Sequence, residues 1–551
     1  MRSRASILRR LALSLLLVAA GLPSLARGQV RIPTLALAEF AELETIFRVG
    51  DQLEQERRWG EALSHYEKAR KQHPGRQEIQ HRLTAARFHY EVERRYSDTS
   101  FLEAVRTIGE QGSLDLYGEV LLKIQAHHVQ RADWTQLLGR GVTAMEVAFA
   151  EPSFRRQHNF NVSEDVSQSL LNEIRQHFES RPAYSRHDAR QRVDEVARLF
   201  QQRFRLPAAV TVTEFTCAAV ALLDDYSAFL TGNQLDDVLS QIEGNFVGLG
   251  IELKAEDQAL RIVSVIPGGP AEQGGIQLGD RIVEVDGQST RDISTDKAAD
   301  MLKGVEGSSV DLVLLDRNGD ARRSRLARTR VDVPSVDKIQ IVDKDFGIGY
   351  FRLTSFQKTT NRDVDAALWK LHQQGMRSLI IDVRGNPGGL LTASVEIADK
   401  FVSQGDIVST RGRSSGEDFD YKAHAVGTWR VPLIVLIDGD SASASEIFAG
   451  AIRDHRRGTL VGTRSYGKGS VQGIFPLSVA NAGVRLTTAK FYSPSGQAIS
   501  HRGVEPDVEV KATEQTLVAK PIDGALPIAE QDHDPALTAS LQIARQQLSQ
   551  R

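Results

Sequence analysis

Three segments in the C-terminal half combine residue types that can carry out nucleophilic chemistry. They are the glycine-rich turn Arg384–Gly389 (RGNPGG), the serine-rich stretch Asp440–Ile447 (DSASASEI) and the lysine segment Gly467–Gln472 (GKGSVQ). Paired glycines allow a turn that exposes backbone N–H groups, which an oxyanion hole requires. A serine at a strand-to-helix junction lies near the positive end of the helix dipole. A lysine between glycines can approach other backbone closely, and Gln472, four residues further along, can hold its ammonium or amine in place.

Each segment also has a simpler interpretation. An Asn-Pro-Gly-Gly sequence is most often only a tight turn, and Ser443-x-x-Glu446 matches a capping box at the start of a helix. The stretch 462–468 nearly matches a phosphate-binding P-loop, but Gly469 stands where that motif needs Ser or Thr to hold magnesium. The apolar strand ending at Asp438 also precedes this loop instead of following it. An NTPase is therefore excluded.

The elements that must position these segments alternate between strand and helix. Apolar runs predict strands, and three- to four-residue periodicity predicts helices between them. The strands are Gly347–Leu353, Ser378–Val383, Leu433–Ile437, Thr459–Gly462 and Val484–Tyr492, and the helices are Asn361–Gln374, Thr392–Phe401 and Ser445–His455. This alternation predicts a layered α/β domain, and a site in the loops that follow its strands.

The region before this domain changes character near Phe246. Before it, the sequence from residue 35 to Leu230 has a helical pattern. A charged stretch near 151–190 interrupts this pattern. After Phe246 come short β-rich segments and one short helix, Ser294–Lys303, which predict a small β-barrel-like module. The strands are Val247–Leu253, Leu260–Ile266, Arg281–Val285 and Val310–Leu315.

One stretch of the helical region has the spacing of a tetratricopeptide (TPR) repeat. The matching positions are Gly50, Ala62, Tyr66, Ala69 and Pro74. A single repeat has no stacked neighbour on which to bury its faces, so a plain helical hairpin is the favoured interpretation. Whether this region binds a protein partner stays open.

Composition and the N-terminus restrict the class of protein further. The chain has 551 residues and one cysteine, Cys217, in an apolar helical stretch. This excludes an internal disulfide framework and predicts a buried structural thiol. Neither a metal site nor a cofactor is expected.

Residues 1–28 carry five arginines and no acid around an apolar run, which predicts a signal peptide or, if uncleaved, an anchor.

Export leads to a periplasmic or extracellular location, with membrane association if the segment is retained. The net charge of the whole chain is −3, from 68 basic and 71 acidic residues. Removal of the five N-terminal arginines makes the remaining chain more acidic, so nucleic acid is not an expected partner.

Taken in order, the three segments resemble the C-terminal processing peptidases, a family of serine proteases also called tail-specific proteases. The flanking segments Leu223–Thr231 and Leu486–Gly496 resemble the family as well. The resemblance implies an α/β core of the crotonase/ClpP-like type. It makes Ser443 the nucleophile, Lys468 the general base and Gln472 the residue that orients Lys468.

In the same family the tetrahedral oxyanion would be bound by the backbone N–H groups of Gly389 and Ala444. Each such donor typically contributes about 3–4 kcal/mol to transition-state stabilisation. A lysine can act as a base near neutral pH only if burial lowers its pKa. Ser441 and Ser445 are expected to shape the turn and cap the helix.

The β-rich module resembles a PDZ domain, whose carboxylate-binding loop would be Gly248, Leu249, Gly250 and Ile251. Such a loop binds the C-terminal carboxylate of a peptide that pairs with the following strand. The resemblance implies protein or peptide substrates with accessible C-terminal tails. A PDZ domain that only docks on its own protease remains an alternative, as does a non-catalytic binding or scaffold protein of the same fold.

The predicted protein is therefore a multidomain α/β enzyme, for which the sequence leaves a homo-oligomer open. Its domains would be a signal peptide at 1–28, a helical TPR-like region at 35–116, a helical N-terminal part of the protease at 117–230 with an insertion near 147–215, a PDZ domain at 231–330, a protease core at 331–515, and a C-terminal connection and helix at 516–551.

Overall fold

The computed structural model describes residues 34–221, 223–256, 259–291, 295–510 and 534–550. The chain divides after Glu91 into two compact units. The predicted signal peptide at 1–28 and the connection 516–533 lie outside the described residues.

The first unit is helical, as the sequence predicts. Helix α1 (Thr34–Gln55) and helix α2 (Trp59–Gln72) pack against each other, and α3 (Gln77–Ser97) begins here. A Cβ added at Gly50 would lie 2.0 Å from Tyr66 Oη, so the close approach of α1 and α2 requires glycine at this point. The region is thus a hairpin of closely packed helices, and its relation to TPR repeats stays a prediction.

The second unit begins with further helices. They are α4 (Thr99–Thr107), α5 (Gly109–His127), α6 (Trp134–Ala150), α7 (Pro152–Gln157), α8 (Glu164–Ser180), α9 (Arg186–Phe204) and α10 (Ala208–Ala221). The expected interruption of helical structure near 151–190 is wrong, because α7 and α8 lie in that stretch. Helix α10 is apolar on nearly all sides and almost wholly buried, and Cys217 is 2% exposed within it. The prediction of a buried thiol is confirmed.

Strands of the β-rich module follow helix α11 (Gly232–Glu243) and form an antiparallel sheet of order β3-β4-β5-β7-β8, with a separate β2–β9 pair. The predicted single strand Val247–Leu253 is wrong: Gly250 has a φ of +76°, which interrupts the extended backbone. The elements are β2 (Asn245–Gly248), β3 (Ile251–Glu256), β4 (Ala259–Val265), α12 (Pro270–Gln273), β5 (Arg281–Val285), β6 (Gln288–Ser289), α13 (Thr295–Leu302), β7 (Ser309–Leu315), β8 (Ala321–Ala327) and β9 (Thr329–Asp332).

The predicted α/β domain contains a mostly parallel sheet of order β10-β11-β12-β15-β16-β19, in which β10 alone runs antiparallel to its neighbour. Its elements are β10 (Val336–Asp343), β11 (Ile348–Leu353), α14 (Thr360–Gln373), β12 (Ser378–Asp382), α15 (Leu391–Asp399), β15 (Leu433–Ile437), α16 (Ala444–Asp454), β16 (Thr459–Gly462), β19 (Val508–Glu509) and α17 (Pro535–Ser549). Helices α14, α15 and α16 cover one face, and α17 covers the other. Strands β12 and β15 are buried throughout, as expected for strands covered on both faces.

A second, antiparallel sheet has the order β1-β18-β13-β14, and β17 also pairs with β18. Its strands are β1 (Ala228–Leu230), β13 (Asp406–Gly412), β14 (Phe419–Lys422), β17 (Ser470–Pro476) and β18 (Gly483–Tyr492). Helical structure was expected up to Leu230, but 228–230 pair with β18 instead. Residues 228–243 therefore form a strand of this sheet and helix α11, ahead of the first strand of the β-rich module, and the domain start at residue 231 stays a prediction.

Within the described part of the chain, no helix is both long and apolar enough to cross a membrane. No cluster of three or more His, Cys, Asp or Glu side chains among the described residues is placed to hold a metal ion.

Candidate active site

The three chemically promising segments meet at one edge of the parallel sheet. Strands β12, β15 and β16 are neighbours, with Asp382 paired to Leu436 and Ile437 paired to Gly462. The segments follow these three strands in turn. Because parallel strands end at the same edge, the loops converge there, as the sequence predicts.

Ser443 directly precedes helix α16 and has a strained backbone, with φ 57° and ψ −112°. A positive φ is unfavourable for a residue other than glycine, and such strain concentrates at functional sites. The serine is only half-buried. The neighbouring hydroxyls bond to the glycine-rich turn and to the residue just before it: Ser445 Oγ donates to Asn386 O at 2.9 Å and Ser441 Oγ to Val383 O at 2.8 Å. These two serines hold the loops together and leave Ser443 as the accessible hydroxyl.

The glycine-rich turn lies directly against the start of α16. A Cβ added at Gly388 would be 2.8 Å from Ser443 Cβ and 2.9 Å from Ala444 N, so only glycine fits there. Phe356 N donates to Gly388 O and Leu390 N donates to Phe356 O, which leaves the N–H of Gly389 between them. No acceptor among the described residues takes a hydrogen bond from the N–H of Gly389 or Ala444. Two unpaired donors near the serine are what an oxyanion hole requires.

Glu446 connects the serine segment to the lysine segment. One carboxylate oxygen, Oε2, accepts the N–H groups of Ser443 and Lys468, both at 2.8 Å. The other, Oε1, accepts the Ser465 hydroxyl and the Gly467 N–H, both at 2.6 Å. Burial raises the pKa of the Glu446 carboxyl even though these hydrogen bonds oppose the change. In the sequence, Glu446 is recognisable only as part of a capping box, and that motif does not show that the carboxyl group is fully buried.

Lys468 belongs to the loop whose backbone is joined to that of Ser443 through Glu446, and the pKa of its ammonium is perturbed. Burial, aided by the positive charge of Arg485, lowers the pKa of the Lys468 ammonium to about 8, and Glu446 acts in the opposite direction. The Lys468 Nζ lies 5.1 Å from the centre of the Tyr226 ring. Among the described residues, no hydrogen bond joins Lys468 to the Ser443 hydroxyl. Catalytic hydrogen bonds are often long in the absence of substrate, so this geometry does not contradict the predicted role of Lys468.

Among the described residues, no hydrogen bond joins Gln472 to Lys468. Its side-chain Nε2 donates to Ser470 O at 3.0 Å and to Ser470 Oγ at 2.9 Å. The pairing of β17 with β18 shifts register between Val471 and Gln472, which changes the side to which the following side chains point. The side chain of Gln472 is thus hydrogen-bonded to Ser470 instead of Lys468, and the role of Gln472 stays a prediction.

The β-rich module has an open groove of about 530 Å³ at the predicted carboxylate-binding loop. The loop residues Gly248, Leu249, Gly250 and Ile251 line it, and Leu302 of α13 lies on another wall. Helix α13 thus forms one wall of the groove. Ser294, the expected first residue of that helix, lies outside the described residues.

Helix α11 forms a further wall of this groove, which the sequence did not indicate. Its residues Asp237, Ser240 and Gln241 line the groove. The Asp237 carboxylate pairs with Lys303 Nζ at 2.6 Å, immediately after helix α13. The helix that leads out of the core sheet is therefore part of the groove.

Comparisons with known proteins agree with this architecture. Residues 347–510 match the model of peptidase family S41, and residues 261–316 match a PDZ domain. The chain is 39% identical over 296 residues to a carboxy-terminal-processing protease of Bartonella bacilliformis, covering 52% of this chain and 67% of that protein. It is 34% identical over 341 residues to a carboxyl-terminal-processing protease of Picosynechococcus sp., covering 61% of this chain and 76% of that protein. The solved photosystem II D1 C-terminal processing protease is 25% identical, with 72% of this chain and 92% of that chain covered and a TM-score of 0.39.

The family match and the similarity to carboxy-terminal-processing proteases show that the chain is a serine-type endopeptidase. More specifically, the chain belongs to peptidase family S41, the C-terminal processing proteases.

Proposed function

We propose that this protein is an exported endopeptidase that binds the C-terminal tails of protein substrates and hydrolyses their peptide bonds through an acyl-enzyme on Ser443. The observation that carries the proposal is the shared carboxylate oxygen of Glu446, which holds the N–H groups of Ser443 and Lys468 at 2.8 Å each. A nucleophile and a base on different loops are thereby joined through one buried group. Export is supported by the composition of residues 1–28 alone.

The chemistry would begin with proton transfer from Ser443 Oγ to the neutral amine of Lys468, while Oγ forms a bond to the scissile carbonyl carbon. The oxyanion would accept hydrogen bonds from the Gly389 and Ala444 N–H groups. Collapse of this intermediate breaks the C–N bond, and Lys468 returns the proton to the leaving amine. Water then hydrolyses the ester, with Lys468 again the base and Ser443 the leaving group.

A Lys468 pKa of about 8 suits this role, because an appreciable fraction of the amine is neutral near physiological pH. The Lys468 side chain must move from the Tyr226 ring to Ser443 Oγ, and Gln472 could hold it there after a side-chain rotation. Neither movement alters the loop backbones that Glu446 holds.

Tail binding would use the groove of the PDZ module. An extended peptide would pair with β3 and direct its carboxylate at the loop of Gly248, Leu249 and Gly250. Leu302, which is 5% exposed, offers an apolar surface to the last side chain. The proposed substrates are therefore proteins with free, apolar C-terminal tails, while a partner for the TPR-like region and a homo-oligomer remain proposals without structural support.

The test compares cleavage of an unfolded protein that ends in an apolar tail. Ser443→Ala and Lys468→Ala should each abolish cleavage, while fluorescence anisotropy shows that a labelled tail peptide still binds. The matched controls Ser403→Ala and Lys490→Ala change exposed residues of the same types and should cleave normally. Amidation of the tail carboxylate should weaken binding to every variant. Full activity of Ser443→Ala would refute the nucleophile, and equal affinity for free and amidated tails would refute the binding mode.

A further inference from the structure

The catalytic lysine has a contact that the proposed mechanism does not use. Lys468 Nζ lies 5.1 Å from the centre of the Tyr226 ring, within the range of a cation–π interaction. Such a contact stabilises the charged ammonium, whereas a general base must be neutral. Tyr226 belongs to the loop before β1, far from Lys468 in the sequence, so the contact exists only in the folded protein.

The backbone around Tyr226 is held firmly. Asp224 Oδ1 accepts the N–H groups of Tyr226 at 2.7 Å and of Ser227 at 2.8 Å. The buried His128 lies 2.9 Å from Asp224 Oδ2. Although burial opposes it, hydrogen bonds from His128, Tyr226 and Ser227 hold the pKa of the Asp224 carboxyl well below its ordinary value. A carboxylate with these partners fixes the loop, and hence the position from which the ring approaches Lys468.

Arg485 brings a positive charge to the same place. It lies on β18, where it is paired with Ala228 of β1, and its Nε donates to Tyr226 O at 2.9 Å. A nearby cation disfavours the ammonium form of a lysine. The charged or polarisable groups that act on Lys468 are thus Arg485 from β18, Glu446 from α16 and the Tyr226 ring from the loop before β1.

We propose that Tyr226 and Arg485 are positioning residues that act on Lys468 in opposite directions: the Tyr226 ring holds the ammonium in its resting place, and the Arg485 guanidinium favours the neutral amine. The loop that contains Tyr226 is joined to β18 through the pairing of β1 with β18, so both effects depend on this pairing. The catalytic importance of Tyr226 and Arg485 rests on the proposed function, in which Lys468 is the base. Their effect on the protonation of Lys468 does not depend on that proposal.

The test measures the protonation of Lys468 without requiring catalysis. In a Ser443→Ala background, acetic anhydride is applied over a series of pH values, and mass spectrometry gives the acetylation rate of Lys468 relative to the exposed Lys490. Tyr226→Leu should lower the apparent pKa of Lys468 by about 0.5 unit, because a cation–π contact is lost. Arg485→Gln should raise it by about 0.5 unit or more, because a repelling charge is lost.

Matched variants separate these effects from general damage to the fold. Tyr226→Phe keeps the ring and Arg485→Lys keeps the charge, so each should stay within about 0.2 unit of the parent. Tyr226→Trp, with a stronger cation–π partner, should raise the apparent pKa and serves if the leucine variant does not fold. An unchanged value in both Tyr226→Leu and Tyr226→Trp, or shifts of the same sign in Tyr226→Leu and Arg485→Gln, would overturn the proposal.

With Ser443 restored, the acid limb of the kcat/KM profile should move in parallel with the labelling result. If the apparent pKa of Lys468 shifts as expected but the protein cleaves no substrate, the proposed protease function is refuted. The proposed effect of Tyr226 and Arg485 on the protonation of Lys468 is then still supported. Normal cleavage with an acid limb that does not follow the labelling would overturn the proposed link between these residues and the base.

Discussion

Replacement of Glu446 by glutamine tests the connection between the two catalytic loops most directly. The carboxylate is fully buried and accepts hydrogen bonds from Ser443, Ser465, Gly467 and Lys468. Glutamine has nearly the same shape but only one acceptor oxygen. Its NH₂ group must therefore face two donors, whichever way the amide is oriented.

The size of the effect follows from these contacts. Two of the four donors lose their acceptor, and each buried unsatisfied group costs about 1–3 kcal/mol. The total is about 2–6 kcal/mol. If the lower value of about 2 kcal/mol is added entirely to the activation free energy, because Ser443 and Lys468 are misplaced in the transition state, kcat falls at least about 30-fold. Because Glu446 does not line the peptide groove, KM should change little.

The assay combines cleavage kinetics with hydrogen–deuterium exchange of the two loops. The amide hydrogens of Ser443 and Lys468 donate to Glu446, so peptides that contain them should exchange faster in the variant. Thermal unfolding establishes that the protein remains folded, and Glu396→Gln, an exposed change on α15, is the control. A Glu446→Gln enzyme with kcat within about threefold of the parent and unaltered exchange at both amides would refute the idea that this carboxylate joins the loops.

Two further predictions concern the base and the oxyanion hole. Because a lysine accepts a proton only when it is neutral and the pKa of Lys468 is lowered to about 8, the proposed base predicts that kcat/KM rises with pH to a midpoint near 8 and falls about tenfold per unit below pH 7; a flat profile from pH 6 to 9 would contradict this assignment. Gly389→Ala should abolish cleavage, because its Cβ would lie 2.0 Å from Phe356 O at a φ of +141°, whereas Gly427→Ala, with a φ of +82° and open space around it, should cleave normally. Cleavage rates and melting temperatures measured together check this pair, and equal activities would show that the Gly389 backbone is not needed.

Much of the α/β domain could be predicted from local pattern. Strands Leu433–Ile437 and Thr459–Gly462 lie where their apolar runs indicate, because a strand buried on both faces needs apolar residues at consecutive positions. Strand β1 could not be predicted in this way. It has only three residues and follows a long helical region, and its conformation is stabilised by pairing with β18, more than 250 positions away.

The candidate site divides in the same manner. A paired-glycine turn and a serine-rich helix start could be found because they have local signatures, whereas the choice of Ser443, Gly389 and Ala444 within them came from the family resemblance. Glu446 was visible only as a capping residue. Its second pair of hydrogen bonds reaches Ser465 and Gly467, which no periodicity connects to it.

By itself, the sequence determined which residues are available for the chemistry and the strands after which they occur. Short-range constraints, such as glycine at positive φ and apolar runs in buried strands, are sufficient for that. Only the tertiary structure decided the surroundings of Lys468. Its depressed pKa, its contact with Tyr226 and the nearby charge of Arg485 arise from strand pairing and burial, which bring together groups whose separation along the chain leaves no pattern to read.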